Sequence, residues 1–218
     1  MPKFKLTNKW TLIFMKTRER ILHTSLALFN ELGEPKVTTL LIADELDISP
    51  GNLYYHFKSK TEILNELFSW FEASMYDILV VPESDMEIED LWFYLHLIFE
   101  NIAKFQFLYK DLVTVMAKYP HLEKKFQKIL DTKRKACRVV LQRAISKGRM
   151  HANEAEVLAL TEQVILITTF WLSYSMINDG EVLDDALAKG VYQVMSVVAP
   201  FLEDERREMI NALKEAYL

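Results

Sequence analysis

Residues 38–60 read TTLLIADELDISPGNLYYHFKSK and contain two short helical patterns with a turn between them. Thr39 is predicted to begin the first helix, because a hydroxyl oxygen accepts hydrogen bonds from the unpaired N–H groups at a helix start. Ile42 and Leu46 then lie four residues apart on one helical face. Asp47 follows where the chain must turn, and aspartate tolerates the left-handed backbone that such a turn needs. This order predicts a helix-turn-helix.

The second helical pattern begins at Ser49, an N-cap residue, and Pro50 suits the first helical position because its missing N–H would be unpaired there. Leu53 and Phe57 are spaced to point inward. The outer face then carries Asn52, Tyr54, Tyr55, His56, Lys58 and Lys60. Hydroxyl and ammonium groups bind phosphates, asparagine and histidine reach base edges, and Gly51 allows a close backbone approach. The helix is therefore predicted to bind DNA.

The run SPGNLYYHFKSK at residues 49–60, preceded by Thr39 and Ala43, resembles the TetR/AcrR class of bacterial transcriptional regulators. The resemblance is specific over residues 17–67 and only architectural beyond them. It implies DNA contacts from Thr39, Ser49, Pro50, Gly51, Asn52, Tyr54, Tyr55, His56 and Lys60. Asp47 departs from the glycine that many members carry at the turn, which predicts a small loss of stability and an intact motif.

The 218 residues include only five glycines and six prolines, and half of them are apolar. So few chain breaks favour long helices. The predicted fold is all-α, with an N-terminal three-helix DNA-binding bundle and a larger C-terminal helical domain for ligand binding and dimerisation. The predicted division is an N-terminal extension or basic arm at 1–16, a helix-turn-helix domain at 17–60, a connecting helix at 61–80 and the effector-binding and dimerisation domain at 81–218.

The net charge of −5 is divided unevenly along the chain. The first 60 residues hold nine basic and six acidic side chains, a balance of +3 that leaves −8 on the remainder. A basic module on an acidic body directs one end of the molecule toward DNA. The charge distribution therefore favours the DNA-binding interpretation.

Residues 1–16, MPKFKLTNKWTLIFMK, lack the small-residue cleavage site of a signal peptide. Two interpretations remain open for them. They are a basic arm whose lysines add phosphate or minor-groove contacts, or they precede the true start, because Met15 begins a run that looks like an ordinary N-terminus of this family.

Several other classes of site are disfavoured. A single Cys137 excludes an internal disulfide and suits a reducing compartment. The histidines lack metal-ligand spacing, so neither a metal nor another cofactor is predicted. No nucleophile–base pair or phosphate loop indicates an enzyme. No apolar run reaches the ~18 residues of a membrane span, so the expected location is the bacterial cytoplasm, without membrane contact.

Residues 154–178 are apolar on nearly every side, which requires burial on every side. One protomer covers one face, so a second copy is predicted to cover the other. The predicted homodimer interface comprises Val164, Ile167, Trp171, Val191, Val194, Met195 and Val198. Residues 203–218 form a further amphipathic pattern expected to pack nearby. A two-fold pair of recognition helices would match a palindromic operator on double-stranded DNA.

The C-terminal part also contains candidate residues for a small-molecule effector pocket, which are Trp92, His96, Phe99, Phe105, Tyr109, Lys133, Trp171 and Tyr174. Aromatic groups with polar tips are common in such pockets, although aromatics at helical spacing also fill ordinary cores. Lys133 lies near the centre of an apolar helical stripe. It would hold an anionic group on an otherwise apolar effector, or its ammonium would reach outward or pair with an acid.

A strongly basic helical segment spans residues 124–149. A solvated face is its usual meaning, and a second nucleic-acid surface remains the alternative. The resemblance implies a homodimeric repressor that binds an operator and is released by an effector. The competing hypothesis is a helical ligand-binding or scaffold protein without DNA regulation, which would not require the outward tyrosines and lysines of residues 49–60.

Overall fold

The computed structural model describes residues 15–82, 87–178, 183–208 and 210. The chain forms two compact units, Met1–Phe71 and Glu72–Leu218. Residues 1–14 of the predicted N-terminal extension (1–16) and the end of the predicted C-terminal helix (211–218) lie outside the described residues. The described part contains helices and no strand, apart from an isolated bridge between Met150 and Leu202. The all-α prediction is confirmed.

The helices of the first unit are α1 (Thr17–Leu32), α2 (Thr39–Glu45), α3 (Pro50–His56) and the beginning of α4 (Lys60–Ile78). The second unit contains the end of α4 and α5 (Ile88–Lys104), α6 (Gln106–Lys110), α7 (Leu112–Lys118), α8 (Pro120–Ser146), α9 (Glu154–Asn178) and α10 (Leu183–Val198). Short 3-10 turns lie at Glu34–Lys36 and Ala199–Phe201, and residues 204–208 are again helical.

The first unit encloses a small apolar core. Its members come from all four helices and are Ile21, Leu22, Phe29, Ile42, Leu53, Phe57, Leu64, Leu67 and Phe68, each almost completely buried. α1 packs against α2, and α2 packs against α3. The predicted inward positions of α2 and α3 are therefore confirmed, because Ile42, Leu53 and Phe57 are core residues.

The predicted helix starts need two corrections, each of one or two positions. The hydroxyl of Thr38, rather than Thr39, accepts from Leu41 N at 3.1 Å and caps α2. α4 begins at Lys60, and the Ser59 hydroxyl accepts from Glu62 N at 3.2 Å. Neighbouring hydroxyl residues are equally suited to capping, so the sequence does not choose between them.

Asp47 has a φ of +53°, which confirms the left-handed turn predicted between α2 and α3. Aspartate adopts this conformation more easily than most residues other than glycine. Ile48 N then donates to Ala43 O at 3.0 Å, which closes the turn. The chain therefore forms the helix-turn-helix without the glycine common at this position.

In the second unit, α9 packs against α8 and α10, and α10 packs against α5. Gly190 lies where α10 approaches its neighbours most closely. A Cβ added there would lie 2.5 Å from the Phe99 ring and 2.6 Å from the Trp171 ring. Only glycine therefore permits this packing of α10 on α5 and α9.

α9 is buried along one side and exposed along the other. Val157, Leu160 and Leu172 lie in the core, whereas Leu166 is 60% and Ile177 87% exposed. Among the described helices, α9 is long and apolar enough to cross a bilayer. That is weak evidence for a membrane span, since 44% of the apolar stretch is already buried within the protein.

The basic segment at 124–149 forms ion pairs with acidic side chains. Lys125 lies 2.9 Å from Glu72, and Arg134 contacts Asp131 at 2.9 Å and Glu162 at 2.7 Å. Arg149 lies 2.7 Å from Glu87. These contacts favour the solvated, ion-paired face over a second nucleic-acid surface.

Candidate nucleic-acid interface and buried cavity

The start of α3 is built by a serine–proline pair. The Ser49 hydroxyl accepts a hydrogen bond from Asn52 N at 3.2 Å, and Pro50 is the first helical residue. Both were predicted as start signals. Leu53 and Phe57 anchor the opposite side of the helix in the core. This arrangement turns the remaining side chains of α3 toward solvent.

The exposed face of α3 contains most of the predicted DNA-binding residues. Pro50, Gly51, Asn52, Tyr54 and Tyr55 are exposed, and His56 is half-buried. Tyr55 is the most exposed of the aromatic side chains there, at 78%. A Cβ added at Gly51 would meet only the Ser49 hydroxyl, at 3.9 Å. The fold itself therefore does not require glycine at this position, whereas a ligand approaching the backbone would benefit from it.

Two polar contacts hold Tyr54 in place. The hydroxyls of Thr39 and Tyr54 lie 2.9 Å apart, which joins α2 to α3. Lys58 Nζ donates to Tyr54 O at 3.2 Å. Thr39, Tyr54 and Lys58 thus form a continuous polar surface with Tyr55, and this surface is accessible to a phosphate backbone.

Lys60 differs from its predicted role, because its ammonium bonds within the protein. Nζ lies 2.9 Å from the Glu34 carboxylate and donates to Glu34 O at 3.0 Å and Val37 O at 2.9 Å. An ammonium has three N–H donors, so these acceptors use all of them. The Glu34 side chain is 1% exposed. Sequence reasoning missed this pair because the two residues lie 26 positions apart and no pattern connects them.

Arg18 braces the opposite side of the motif. Its guanidinium lies 4.8 Å from the centre of the Phe57 ring and 3.1 Å from the Glu66 carboxylate. The hydrogen bond to Glu66 raises the pKa of Arg18, so the group stays charged. Arginine stacked on an aromatic ring stabilises contacts between elements. This residue was not among the predicted site residues.

The second unit contains a cavity of about 70 Å³ lined by α5, α8, α9 and α10, with Leu79 after the end of α4 and with Leu202 and Ile210. Its walls are mostly Leu, Ile, Val and Met side chains. The polar residues in the wall are Tyr94, Lys133, Cys137 and Thr168. Burial lowers the pKa of Lys133 to about 7 and raises that of Tyr94 to about 12 and that of Cys137 to about 11. The predicted position of Lys133 on the apolar stripe of α8 is confirmed, since it is 3% exposed.

Lys133 is the member of the predicted effector set that lines this cavity. The other predicted members do not line it, and these are Trp92, His96, Phe99, Phe105, Tyr109, Trp171 and Tyr174. Phe99, Phe105 and Tyr109 are buried core residues.

The remaining aromatic side chains of that set have other neighbours. The rings of Trp92 and His96 lie 3.9 Å apart, Trp171 Nε1 donates to Ala186 O at 2.6 Å, and Tyr174 is exposed. Trp171 also lies beside Tyr174, with ring centres 5.5 Å apart, and beside Phe99 at Gly190. Several of these aromatics thus contact one another, but apart from Lys133 no member of the set lines the cavity.

The predicted dimer-interface residues also require correction. Within a single protomer, Val164, Val191, Val194, Met195 and Val198 are buried, and Ile167 and Trp171 are partly buried. The packing of α10 on α5 and α9 covers these side chains, which the sequence alone left without a partner. The exposed apolar stripe of α9 is formed instead by Leu158, Leu166, Phe170, Tyr174 and Ile177.

A helix-turn-helix with an exposed polar recognition helix, in one chain with a helical unit that contains a cavity, defines the class of DNA-binding transcriptional regulators. Residues 21–67 match the sequence model for bacterial regulatory proteins of the tetR family, and residues 70–210 match that for the TetR bacterial transcriptional repressor. The chain belongs to the TetR family. This assignment agrees with the prediction that it is not an enzyme.

Similarity to individual proteins agrees with the family. A TetR-family transcriptional regulator from Marinobacter aquaeolei VT8 is 34% identical, covers 93% of this chain and 99% of its own, and superimposes with a TM-score of 0.85. The SmeT–triclosan complex is 20% identical over 87% of this chain and 93% of that one, with a TM-score of 0.60, and so shows a common fold.

A curated relative is similar over a shorter segment. The probable acrEF/envCD operon repressor of Escherichia coli K12 is 37% identical over 54 residues, which is 25% of this chain. The match spans about a quarter (24%) of that relative's length. The match therefore relates only part of this chain to that repressor.

Proposed function

We propose that this protein is a homodimeric, ligand-responsive transcriptional repressor that binds a palindromic operator and is released by a small-molecule effector. The observation that carries the proposal is the exposed polar face of α3, anchored behind by Leu53 and Phe57. The match of residues 70–210 to the model of the TetR bacterial transcriptional repressor supports the same function. DNA binding in a bacterium implies a cytoplasmic location.

The proposed DNA contacts are made by Thr39, Ser49, Pro50, Gly51, Asn52, Tyr54, Tyr55, His56 and Lys58. Hydroxyls, the N-terminal N–H groups of α3 and the Lys58 ammonium would bind phosphates. Asn52 and His56 would reach base edges in the major groove. Lys60, first predicted as a contact, is proposed instead to position the motif through Glu34, since its ammonium is already bonded.

Dimerisation is proposed to occur through the exposed stripe of α9. Leu166, Phe170, Tyr174 and Ile177 follow one another at intervals of three or four residues, so they form one apolar face. A second copy of the same face is a self-complementary partner, as a two-fold interface requires. The two recognition helices would then meet half-sites about 34 Å apart, one turn of DNA.

The effector is proposed to bind in the cavity of the second unit. The apolar lining favours an apolar molecule, and Lys133 favours an anionic group on it. The triclosan complex of SmeT, a protein of the same fold, supports ligand binding by this architecture. An effector changes the DNA affinity only if it binds the DNA-binding conformation and the released conformation of the protein with different affinities.

The DNA-binding part is tested with a labelled duplex from the intergenic region beside the gene. We expect the wild-type chain to form a specific complex whose affinity falls steeply with salt, because phosphate contacts release counterions. Tyr55→Ala and Lys58→Ala should each weaken binding by about fivefold or more. Lys128→Ala is the matched control, since Lys128 is exposed on α8 and outside the proposed interface.

Two outcomes of this experiment would contradict the proposal. A chain that binds no duplex at any salt would favour the alternative, a helical ligand-binding or scaffold protein. A complex that Tyr55→Ala and Lys128→Ala weaken equally would show that α3 is not the recognition helix. A folding control by circular dichroism accompanies each variant.

A further inference from the structure

Lys133 places one ammonium group in the wall of an apolar cavity. Its neighbour on the same helix, Lys135, is exposed, whereas Lys133 is 3% exposed. Nζ donates to Thr168 O at 3.4 Å, which is longer than a strong N–H···O hydrogen bond, and lies 5.9 Å from the centre of the Tyr109 ring. Within the described part of the chain, no carboxylate forms an ion pair with it. The described residues therefore stabilise this cation poorly.

The second polar feature of the cavity wall is the Tyr94 hydroxyl. It is buried without a hydrogen-bond partner among the described residues. Apolar side chains such as Leu95, Val164 and Met195 form most of the remaining wall. The Thr168 hydroxyl is already bonded to Ile165 O. The Lys133 cation and the Tyr94 hydroxyl in a mostly apolar wall suit a molecule with one anionic group and a hydrocarbon body.

The size of the cavity limits the ligand. The volume is about 70 Å³. A cavity needs roughly 10–15 Å³ on this measure for one water-sized group, so about five to seven non-hydrogen atoms fit without rearrangement. Butyrate, with six non-hydrogen atoms, fits this limit, and hexanoate, with eight, needs a small enlargement of the cavity.

We propose that the cavity binds small apolar monocarboxylates, with the carboxylate paired to Lys133 Nζ, and that binding takes up a proton on this amine. The inference rests on the proposed function, because it names the chemical class of the effector. A carboxylate would give Lys133 the charged partner that the described residues do not supply. Neutral molecules of the same shape would leave the ammonium uncompensated and would bind less tightly.

The protonation of Lys133 explains the proton uptake. Burial lowers its pKa to about 7, so the amine and the ammonium coexist near neutral pH. A bound carboxylate stabilises the ammonium and raises this pKa again. Affinity should therefore fall as the pH rises above about 7, by about tenfold per pH unit.

The other titratable groups that face Lys133 stay neutral in this range. Burial raises the pKa of Tyr94 on α5 to about 12 and that of Cys137 on α8 to about 11, and it also raises the pKa of Tyr109 on α6. The wall residues of α9 and α10, such as Thr168 and Val194, do not titrate. Lys133 is therefore the wall group expected to change charge between about pH 6 and pH 9.

The test is isothermal titration calorimetry of the full chain with hexanoate, butyrate and the matched alcohol 1-hexanol. Titrations in buffers of different ionisation enthalpy report the proton uptake. We expect hexanoate to bind at least about tenfold more tightly than 1-hexanol and to take up about half a proton near pH 7. These measurements use the wild-type chain alone, so they do not depend on the folding of a variant.

Variants then assign the effect to the side chain. Lys133→Met should remove both the preference for the carboxylate and the proton uptake, whereas Lys135→Met should behave as wild type. The proposal is overturned if the wild type binds 1-hexanol as tightly as hexanoate, binds neither carboxylate, or takes up no proton. It is equally overturned if folded Lys133→Met keeps the wild-type affinity for hexanoate.

The same preparations separate this inference from the proposed function. A chain that binds operator DNA but no carboxylate would contradict the carboxylate site alone. A chain that binds hexanoate with proton uptake but no DNA at any salt would contradict the regulator and leave the site intact.

Discussion

The hydroxyl oxygens of Thr39 and Tyr54 lie 2.9 Å apart and join the first helix of the motif to the recognition helix. Both residues belong to the proposed DNA contacts. Each hydroxyl is therefore oriented before DNA arrives, which reduces the entropy lost when the interface forms. A contact within the protein thus prepares the surface that the operator would meet.

Disruption of this contact should weaken operator binding in a coupled way. Thr39→Val and Tyr54→Phe each remove one hydroxyl and keep the shape of the side chain. We expect each to reduce affinity by roughly three- to tenfold, with the double variant losing less than the product, because the two changes remove the same hydrogen bond. Fluorescence anisotropy with a labelled operator measures the affinities of the wild type, the two single variants and the double variant, which together form a double-mutant cycle. Strictly multiplicative losses would show that the pair does not act as a unit.

Lys60 should contribute to stability more than an exposed lysine does. Lys60→Met removes the ammonium 2.9 Å from the buried Glu34 carboxylate and the donor to two backbone carbonyls. The free energy of unfolding should fall by about 2–4 kcal/mol. Lys58→Met is the matched control, with an expected change below about 0.5 kcal/mol because Lys58 is exposed. Urea denaturation measures the free energy of unfolding of both variants. Equally small losses of this free energy in the two variants would contradict the positioning role of Lys60.

The buried amine of Lys133 should make the stability of the ligand-free chain rise with pH. Its pKa is lowered to about 7 in the folded protein, so the unfolded chain binds more protons between pH 7 and 9. Stability should therefore increase by about 2 kcal/mol over that range. Lys133→Met should lack this increase. Above pH 9 the raised pKa values of Cys137 and Tyr94 act in the opposite direction, so the comparison ends there. Parallel pH profiles for the wild type and the variant would contradict the prediction.

Charges on the exposed stripe of α9 should separate the protomers. Leu166→Glu and Phe170→Glu place carboxylates in the proposed interface, and we expect each to weaken the dimer by about 100-fold or more. Val113→Glu is the control, since Val113 is 72% exposed on α7, outside the stripe. Analytical ultracentrifugation measures the association of the protomers. Operator affinity should fall as the dimer weakens, because two linked recognition helices bind more tightly than one. An unchanged dimer in both α9 variants would place the interface elsewhere.

The local features of the first unit were predictable from the sequence. The Ser49 cap, the positive φ at Asp47 and the burial of Leu53 and Phe57 all match the predictions. These features depend on neighbours within about four residues, the range of caps and helical periodicity. The position of Lys133 on the apolar stripe of α8 was predictable for the same reason. The choice of Thr38 over Thr39 as the cap was not, because two adjacent hydroxyls are equivalent to a local rule.

The burial of whole apolar faces was less predictable. Val191, Val194, Met195 and Val198 form a stripe that suits either a partner protomer or the protein's own core. The structure assigns it to the core, because α10 packs on α5 and α9. The aromatic residues proposed for a ligand likewise lie outside the cavity that Lys133 lines, since ring spacing along one helix carries no information about the helix opposite.

By itself, the sequence determined the helix-turn-helix, its outward tyrosines, the all-α class and a lysine on an apolar stripe. Capping, turn conformation and helical period are short-range effects, so a stretch of two dozen residues contains them. Only the tertiary structure decided that Lys60 bonds to Glu34, that Lys133 faces a cavity, and that Leu166 and Ile177 stay exposed on α9. These depend on which remote elements meet, and that is set by the packing of the whole unit.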